Sequence, residues 1–200
     1  MIEAFWRPNS AGHRRNDKLG AAGVFEDAKA VIGPYSAPPV ACHAANPRAA
    51  DIARQIAGLI ARHLPSVRVE HVGSTAVPGC GGRGIIDLLL AAPDGELDTI
   101  QMLLDRLGFQ RHGGEAFLPD CPLRTGTWME NGETFLLHLY VLTDSAAAVD
   151  TMRFLRTCLR ADPDLAKAYV KTKRKIIAGG VTDADEYCRQ KAEFLKIVLG

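Results

Sequence analysis

The chain has no apolar run longer than Leu88–Ala92, far short of the roughly 20 residues that cross a bilayer as a helix. No apolar stretch follows the first basic residues, so no secretory signal is read and the expected location is cytoplasmic, with no membrane partner. No CxxC pair occurs. The five cysteines, Cys42, Cys80, Cys121, Cys158 and Cys188, are odd in number and 30 to 41 residues apart. That pattern argues against a zinc knuckle, a thioredoxin-type motif and a disulfide framework. GxxxxGK[ST] and HExxH are both missing, which removes a P-loop kinase or ATPase and leaves no metal box among six scattered histidines. Aromatic residues make up only 6%, too few for a platform that stacks single-stranded bases.

What is present is an ordinary globular mixture. Two hundred residues with 47% hydrophobic and 24% charged side chains suit one sizeable core. The net charge of +1 conceals an asymmetry: Met1 to Thr151 carries 13 Lys/Arg against 17 Asp/Glu, and Met152 to Gly200 carries 11 against 6. A basic C-terminal quarter facing a more acidic body suits an anionic small ligand held between them. It also suits weak nucleic-acid binding, although an overall charge of +1 argues against an extended phosphate-tracking surface.

Residues 1–30 show no sustained period and are read as a loosely ordered leader, with Phe5-Trp6 as a docking anchor; residues 31–200 are read as one domain. Pro34 to Pro39 is irregular. Asn46-Pro47 resembles a cap and a proline at the first helical position, and Ile52, Ile56, Leu59 and Ile60 recur at helical spacing, predicting a helix over 47–64. Alternation over 67–72 predicts a strand, and Ile85 to Leu90 a fully buried one. Leu97 to Leu107 predicts a short helix, and Phe109 to Leu118 one or two short strands. Thr125–Glu130 and Glu133–Leu142 flank Asn131-Gly132, a strong hairpin signal. Three helices follow, at about 145–160, 163–178 and 183–199. The order predicts an α+β domain, with strands 67–72, 85–91 and 134–142 neighbouring in one mixed sheet flanked by helices.

Gly79-Cys80-Gly81-Gly82-Arg83-Gly84 matches GxGxxG in form only. The dinucleotide fingerprint needs a strand before its glycines and a helix after them, whereas these run into a strand. The informative segment is His71-Val72-Gly73-Ser74-Thr75-Ala76-Val77-Pro78-Gly79, continuing to Ile85-Ile86-Asp87. A strand ending in Gly73-Ser74 offers backbone N–H groups and a hydroxyl at close approach, chemistry suited to a phosphate oxygen. Asp87 interrupts an otherwise apolar strand, so its carboxylate must be paired, capped or metal-bound. Beside a phosphate cradle it is placed to hold Mg2+; equally, it is placed to accept from the glycine-turn amides.

The same block resembles the signature of the GrpB-like proteins, H-I-G-S-T-A-V-P-G-L-x-x-K-P-I-I-D. His138-Leu139-Tyr140-Val141 resembles that family's H-L-[HY]-V strand. Arg156 with Leu159-Arg160-Ala161-Asp162-Pro163 resembles its F-R-D-Y-L-R-x-x-P turn. Tyr169 with Lys173, and Tyr187 with Lys191, resemble the closing Y-x-x-x-K patterns. The resemblance covers about residues 31 to 199. It implies a nucleotidyltransferase-like fold in which the Gly-Ser turn and a carboxylate on the following strand hold nucleotide phosphates and metal; it implies no settled reaction. Arg83-Gly84 stand where the family has Lys-Pro. Leu89 stands where active nucleotidyltransferases carry a second acidic residue, and Glu70, Glu130 and Glu133 are the substitutes weighed for it.

The expected site therefore consists of Asp87 as metal ligand and catalytic carboxylate, with Gly73, Ser74, Arg83, His138, Arg156 and Lys191 around phosphate. His138 reads equally as a core histidine, while Lys191 shares an apolar stripe with Tyr187, Phe194 and Val198, where a lysine snorkels or meets an anion. The run Lys171-Thr172-Lys173-Arg174-Lys175 reads as a solvated helix face. The expected ligand is a nucleotide or CoA-precursor-like phosphate compound. Three functions are open: Mg-dependent nucleotidyl transfer, a non-catalytic ligand-binding module, and an RNA-binding accessory protein.

Overall fold

The structure is a computed structural model that describes residue 25, residues 27–112 and residues 122–199. Residues 1–24 lie outside the described residues, and with them the Phe5-Trp6 anchor. Phe25, within the stretch read as leader, is buried in the core, and its carbonyl accepts from Arg106 Nη1 at 2.8 Å.

Five strands form one sheet: β1 Arg68–Val72, β2 Ile85–Ala92, β3 Gln110–Arg111, β4 Leu123–Glu130 and β5 Glu133–Thr143. Their spatial order is β1-β2-β5-β4-β3, with β2 and β5 parallel and every other pair antiparallel. The three strands expected to be neighbours are neighbours. The β4–β5 hairpin turns on Asn131 (φ 53°) and Gly132 (φ 77°), both in the positive-φ region that a tight two-residue hairpin demands. Of the strands expected between Phe109 and Leu118, Gln110–Arg111 forms, and residues 113–118 lie outside the described residues.

Alternation along β2 sorts its side chains between two cores. Ile86, Leu88, Leu90 and Ala92 join Leu137, Leu139 and Val141 of β5 against helices α1 (Ala49–His63) and α2 (Leu97–Leu107). On the opposite face Leu89 and Ala91 pack with Val72, Tyr140, Leu142 and Val149, the last from helix α3 (Ala147–Ala161). A third cluster of Val77, Cys80, Leu159, Ala166, Tyr169 and Leu195 fastens helices α4 (Pro163–Ala178) and α5 (Ala184–Leu199) to the turn that joins β1 and β2.

Helix α1 begins two residues later than its sequence signals. Asn46 Oδ1 accepts from the Arg48 amide at 2.9 Å, closing a turn ahead of the helix, and Arg48 occupies the cap position. Helix α4 has the expected start: Asp162 Oδ1 accepts from the Asp164 and Leu165 amides at 2.9 Å, with Pro163 in the first turn. Asp162→Ala is expected to lower stability by about 1 kcal/mol, the usual worth of such a cap, read as a shifted urea midpoint at constant slope. An unchanged midpoint would mean that α4 is held by packing alone.

Candidate functional site

Gly73 ends β1 with φ 69° and ψ −169°, a combination that side chains essentially exclude. It turns the chain so that its backbone lies flat against Asp87: a Cβ on Gly73 would stand 2.3 Å from Asp87 Oδ2. A short 3-10 turn follows at Ser74–Ala76. The rest of the loop is anchored from several sides. Thr75 Oγ1 donates to the Ile85 carbonyl at 3.2 Å, His43 and Gly82 exchange backbone hydrogen bonds at 2.7 and 3.0 Å, and Arg160 on α3 donates twice to the Ala76 carbonyl at 2.9 and 2.7 Å. Because the Thr75 proton goes to Ile85, the 3.0 Å contact between His71 Nε2 and Thr75 Oγ1 is donated by the imidazole. That imidazole is neutral: burial, with Arg160 and Arg156 nearby, pulls its pKa down to about 4.

A cavity of about 90 Å³ opens beside this turn, with Gly73, Ser74, Arg83, Asp87, Lys173 and Lys191 in its wall. The volume is several times what one water needs. Three tyrosines, Tyr140, Tyr169 and Tyr187, also line it. Arg83 and Lys191 lie over the Tyr187 ring, at 5.5 and 5.7 Å from its centroid, and Lys173 Nζ lies 4.3 Å from that of Tyr169, so aromatic faces support all three cations. Lys173 is 2% exposed and donates a short hydrogen bond to the Gly81 carbonyl. A Cβ on Gly82 would meet Ser74 Oγ at 2.8 Å and Lys173 Nζ at 3.2 Å, so glycine there brings the hydroxyl and the ammonium to one spot. Neither the Ser74 hydroxyl nor the Arg83 guanidinium has a hydrogen bond or ion pair among the described residues.

Asp87 shares its face of β2 with Leu89 and stands in register with Val72 on one side and His138 on the other. Its side chain is 24% exposed. Burial pushes the carboxyl up, and Lys191, Arg83 and Lys173 pull against that rise. His138 Nδ1 lies 3.7 Å from Asp87 Oδ1, and His138 Nε2 lies 3.0 Å from the Tyr35 hydroxyl. Burial, reinforced by Arg83, His112 and Lys191, takes His138 down to about 3. It is a neutral ring backing the carboxylate, not an ion-pair partner.

Of the residues expected at the site, Gly73, Ser74, Arg83, Asp87 and Lys191 meet at one cavity, and His138 stands behind Asp87. Arg156 does not line the cavity. Its Nη1 donates to the His71 carbonyl and its Nη2 to Glu70 Oε2, both at 2.9 Å. Glu70 also takes Arg153. Burial alone would raise the Glu70 carboxyl, and hydrogen bonds from the two arginines outweigh that and hold it below the usual range. Glu130 and Glu133, two of the candidate substitutes for a second carboxylate, clamp Arg48 at 2.5 and 2.6 Å at the hairpin. No group of three metal-capable side chains exists among the described residues, and the three candidate substitutes for a second carboxylate are all engaged elsewhere. The donor set at Asp87, one carboxylate hemmed by three cations, does not fit a protein-built magnesium centre, which wants hard oxygen ligands around it.

Sequence reasoning took Lys173 into a solvated helix face, which its burial corrects, and passed over Tyr35. Lys173 has a readable signal, since Ala166, Tyr169 and Ile176 are the buried residues of the same α4 stripe. Its three basic neighbours Lys171, Arg174 and Lys175 are exposed.

UPF0157 protein PA4798 of Pseudomonas aeruginosa is 34% identical over 133 residues, covering 63% of this chain and 51% of that protein. The chain thus spans about half the length of that relative. Among solved structures, the conserved protein GrpB from Enterococcus faecalis aligns with a TM-score of 0.58 at 19% identity, over 80% of this chain and all of that one. A chain of the GLD-2/RNP-8 complex aligns at 0.51 and 11% identity, over 76% and 58%. Both likenesses, at under 25% identity, concern the fold alone, a five-stranded mixed sheet with helices. The family model described as GrpB protein matches residues 39–200, taking in the turn, the strand that carries Asp87 and all three C-terminal helices, and with that extent of agreement the chain belongs to the GrpB family.

Proposed function

We propose that this protein binds a phosphate-bearing small molecule, a nucleotide or a CoA-precursor-like compound, in the cavity at the 73–84 turn. One observation carries the reading: the Ser74 hydroxyl and the Arg83 guanidinium line the same cavity with no hydrogen-bond or ion-pair partner among the described residues, beside Lys173 and Lys191. A hydroxyl, a guanidinium and two ammonium groups around one small space suit a multivalent anion. The reading is that of a binding module. Transfer of a nucleotidyl group is the second reading, favoured by Asp87 on the strand after the Gly-Ser turn; Leu89, buried in apolar packing on the same face, counts against it. An RNA-binding role has less behind it, because the basic run of α4 divides between one inward lysine and three exposed cations.

A thermal-shift screen of nucleotides and CoA precursors tests the proposal. A ligand at about a hundred times its Kd adds about 2.7 kcal/mol, a rise of roughly 5 to 10 °C for a chain of this size. The rise should shrink in Ser74→Ala and Arg83→Ala. A screen without any responding phosphate compound removes the proposal. Release of pyrophosphate from a nucleoside triphosphate would promote the transfer reading.

A further inference from the structure

The charges around Asp87 bear on what kind of phosphate the cavity takes. In a magnesium-dependent site the carboxylates supply negative charge and the metal returns it as positive charge beside the phosphate. Here the positive charge is already part of the chain. Arg83 from the turn, Lys173 from α4 and Lys191 from α5 all line the cavity that Asp87 lines. Three cations against one carboxylate leave a surplus of two.

The carboxylate itself is poorly placed to reach a metal. Oδ2 is pressed against the Gly73 backbone, where not even a Cβ has room. Oδ1 faces the Nδ1 of neutral His138. A hexahydrate-derived magnesium ion needs near-octahedral oxygen ligands at about 2.1 Å and keeps several waters. The other charged groups in the wall of the same cavity are the ammonium groups of Lys173 and Lys191 and the Arg83 guanidinium, which repel a divalent cation. Lys173 is the most telling of them. Burying an ammonium is costly unless it is hydrogen-bonded and answered by an anion, and its acceptors among the described residues are the Gly81 carbonyl and, at 3.7 Å, Cys80 Sγ. Its Nζ and the Ser74 hydroxyl both border the space that Gly82 leaves open, 3.2 and 2.8 Å from where a Cβ would stand.

We propose that the cavity holds a doubly charged phosphate monoester without a divalent metal, with Lys173, Lys191 and Arg83 supplying the charge that magnesium supplies elsewhere and Ser74 donating to a phosphate oxygen. The proposal rests on the phosphate-binding reading above and narrows it to a class: a terminal monoester rather than an internal phosphodiester. Asp87 then acts as a fixed counter-charge that keeps three cations together in the absence of ligand.

The test is isothermal titration of the full-length protein with AMP, with cyclic AMP as the singly charged diester control, and with inorganic phosphate to separate an ester from the free ion. Each titration is run once in EDTA and once in magnesium. AMP should bind in EDTA with a Kd within about threefold of its value in magnesium, and cyclic AMP at least about tenfold more weakly. Lys173→Met, which keeps length and apolar bulk, should weaken AMP at least about tenfold, as expected when one charge-assisted hydrogen bond is lost. Arg83→Gln on the half-buried turn gives a second variant that leaves the core untouched, with a loss of similar size expected. AMP binding that appears only with magnesium overturns the proposal and leaves the phosphate-binding reading standing. Equal affinity for AMP and cyclic AMP, or AMP binding in EDTA that neither substitution weakens, also overturns it. Binding of inorganic phosphate as tight as AMP would keep the metal-free site and remove the ester from it. If none of the three probes binds in either condition, the proposal falls, and the thermal-shift screen decides whether the reading beneath it falls with it.

Discussion

Acidification from about pH 7 to about pH 5 is expected to remove about 3 kcal/mol of stability, well before the carboxylates of the protein titrate. The cause is the pair of neutral histidines that flank the site. His138 is held at about 3 and His71 at about 4 in the folded chain, whereas an exposed histidine titrates near 6.5. Both folded values are depressed, so in the unfolded chain these rings take up protons first as the pH falls. Stability is therefore complete above about pH 6.5 and is lost progressively as the pH drops toward the folded values. His138, the more deeply buried ring, contributes about 2 kcal/mol of the loss at pH 5, and His71, partly reached by water, contributes less. Urea unfolding at several pH values measures it directly. His138→Gln should flatten the profile; a wild-type midpoint unchanged between pH 7 and pH 5 would show that neither ring is held neutral.

Gly73→Ala is expected to cost about 3 kcal/mol or more and to abolish ligand binding. Two costs coincide at this position. The backbone conformation is one that alanine reaches only at a cost of about 1–3 kcal/mol. The added methyl would also overlap the Asp87 carboxylate, which cannot retreat because His138 stands behind it. Relief would need either the turn or the β2 register to shift, and both hold the site. Chemical denaturation reads the stability loss, and titration with AMP reads the binding. A variant of unchanged midpoint would mean that the turn has another conformation within easy reach.

The elements that a sequence reader recognises here are those with a local cause. The hairpin follows from Asn131-Gly132, the three last helices from apolar spacing and from Pro163, and the place of Asp87 from its isolation in an apolar strand. Gly73 and Ser74 came into view as residue types suited to phosphate. What stayed hidden is non-local. Arg156 looks like any helical cation until Glu70 and the His71 carbonyl, 86 and 85 residues away, take its guanidinium. Tyr35 sits in an aperiodic, proline-rich stretch, and only the fold brings its hydroxyl to His138, 103 residues on. Lys173 was concealed by company: of the four basic residues in its run, it alone lies on the buried stripe of α4.

The parallel pairing of β2 with β5 sets an order on how the molecule comes into being. Asp87 meets His138 only after the hairpin strands have been made and β5 has been laid into the middle of the sheet, a long-range step that is slow to nucleate. Lys173 and Lys191 arrive later still, on the last two helices of the described chain. During synthesis the sheet can therefore close around its apolar faces while the anion cavity is still missing one wall. If the cavity takes an anion as proposed, its capture would report that the final helices have docked, and the bound anion would slow their peeling away.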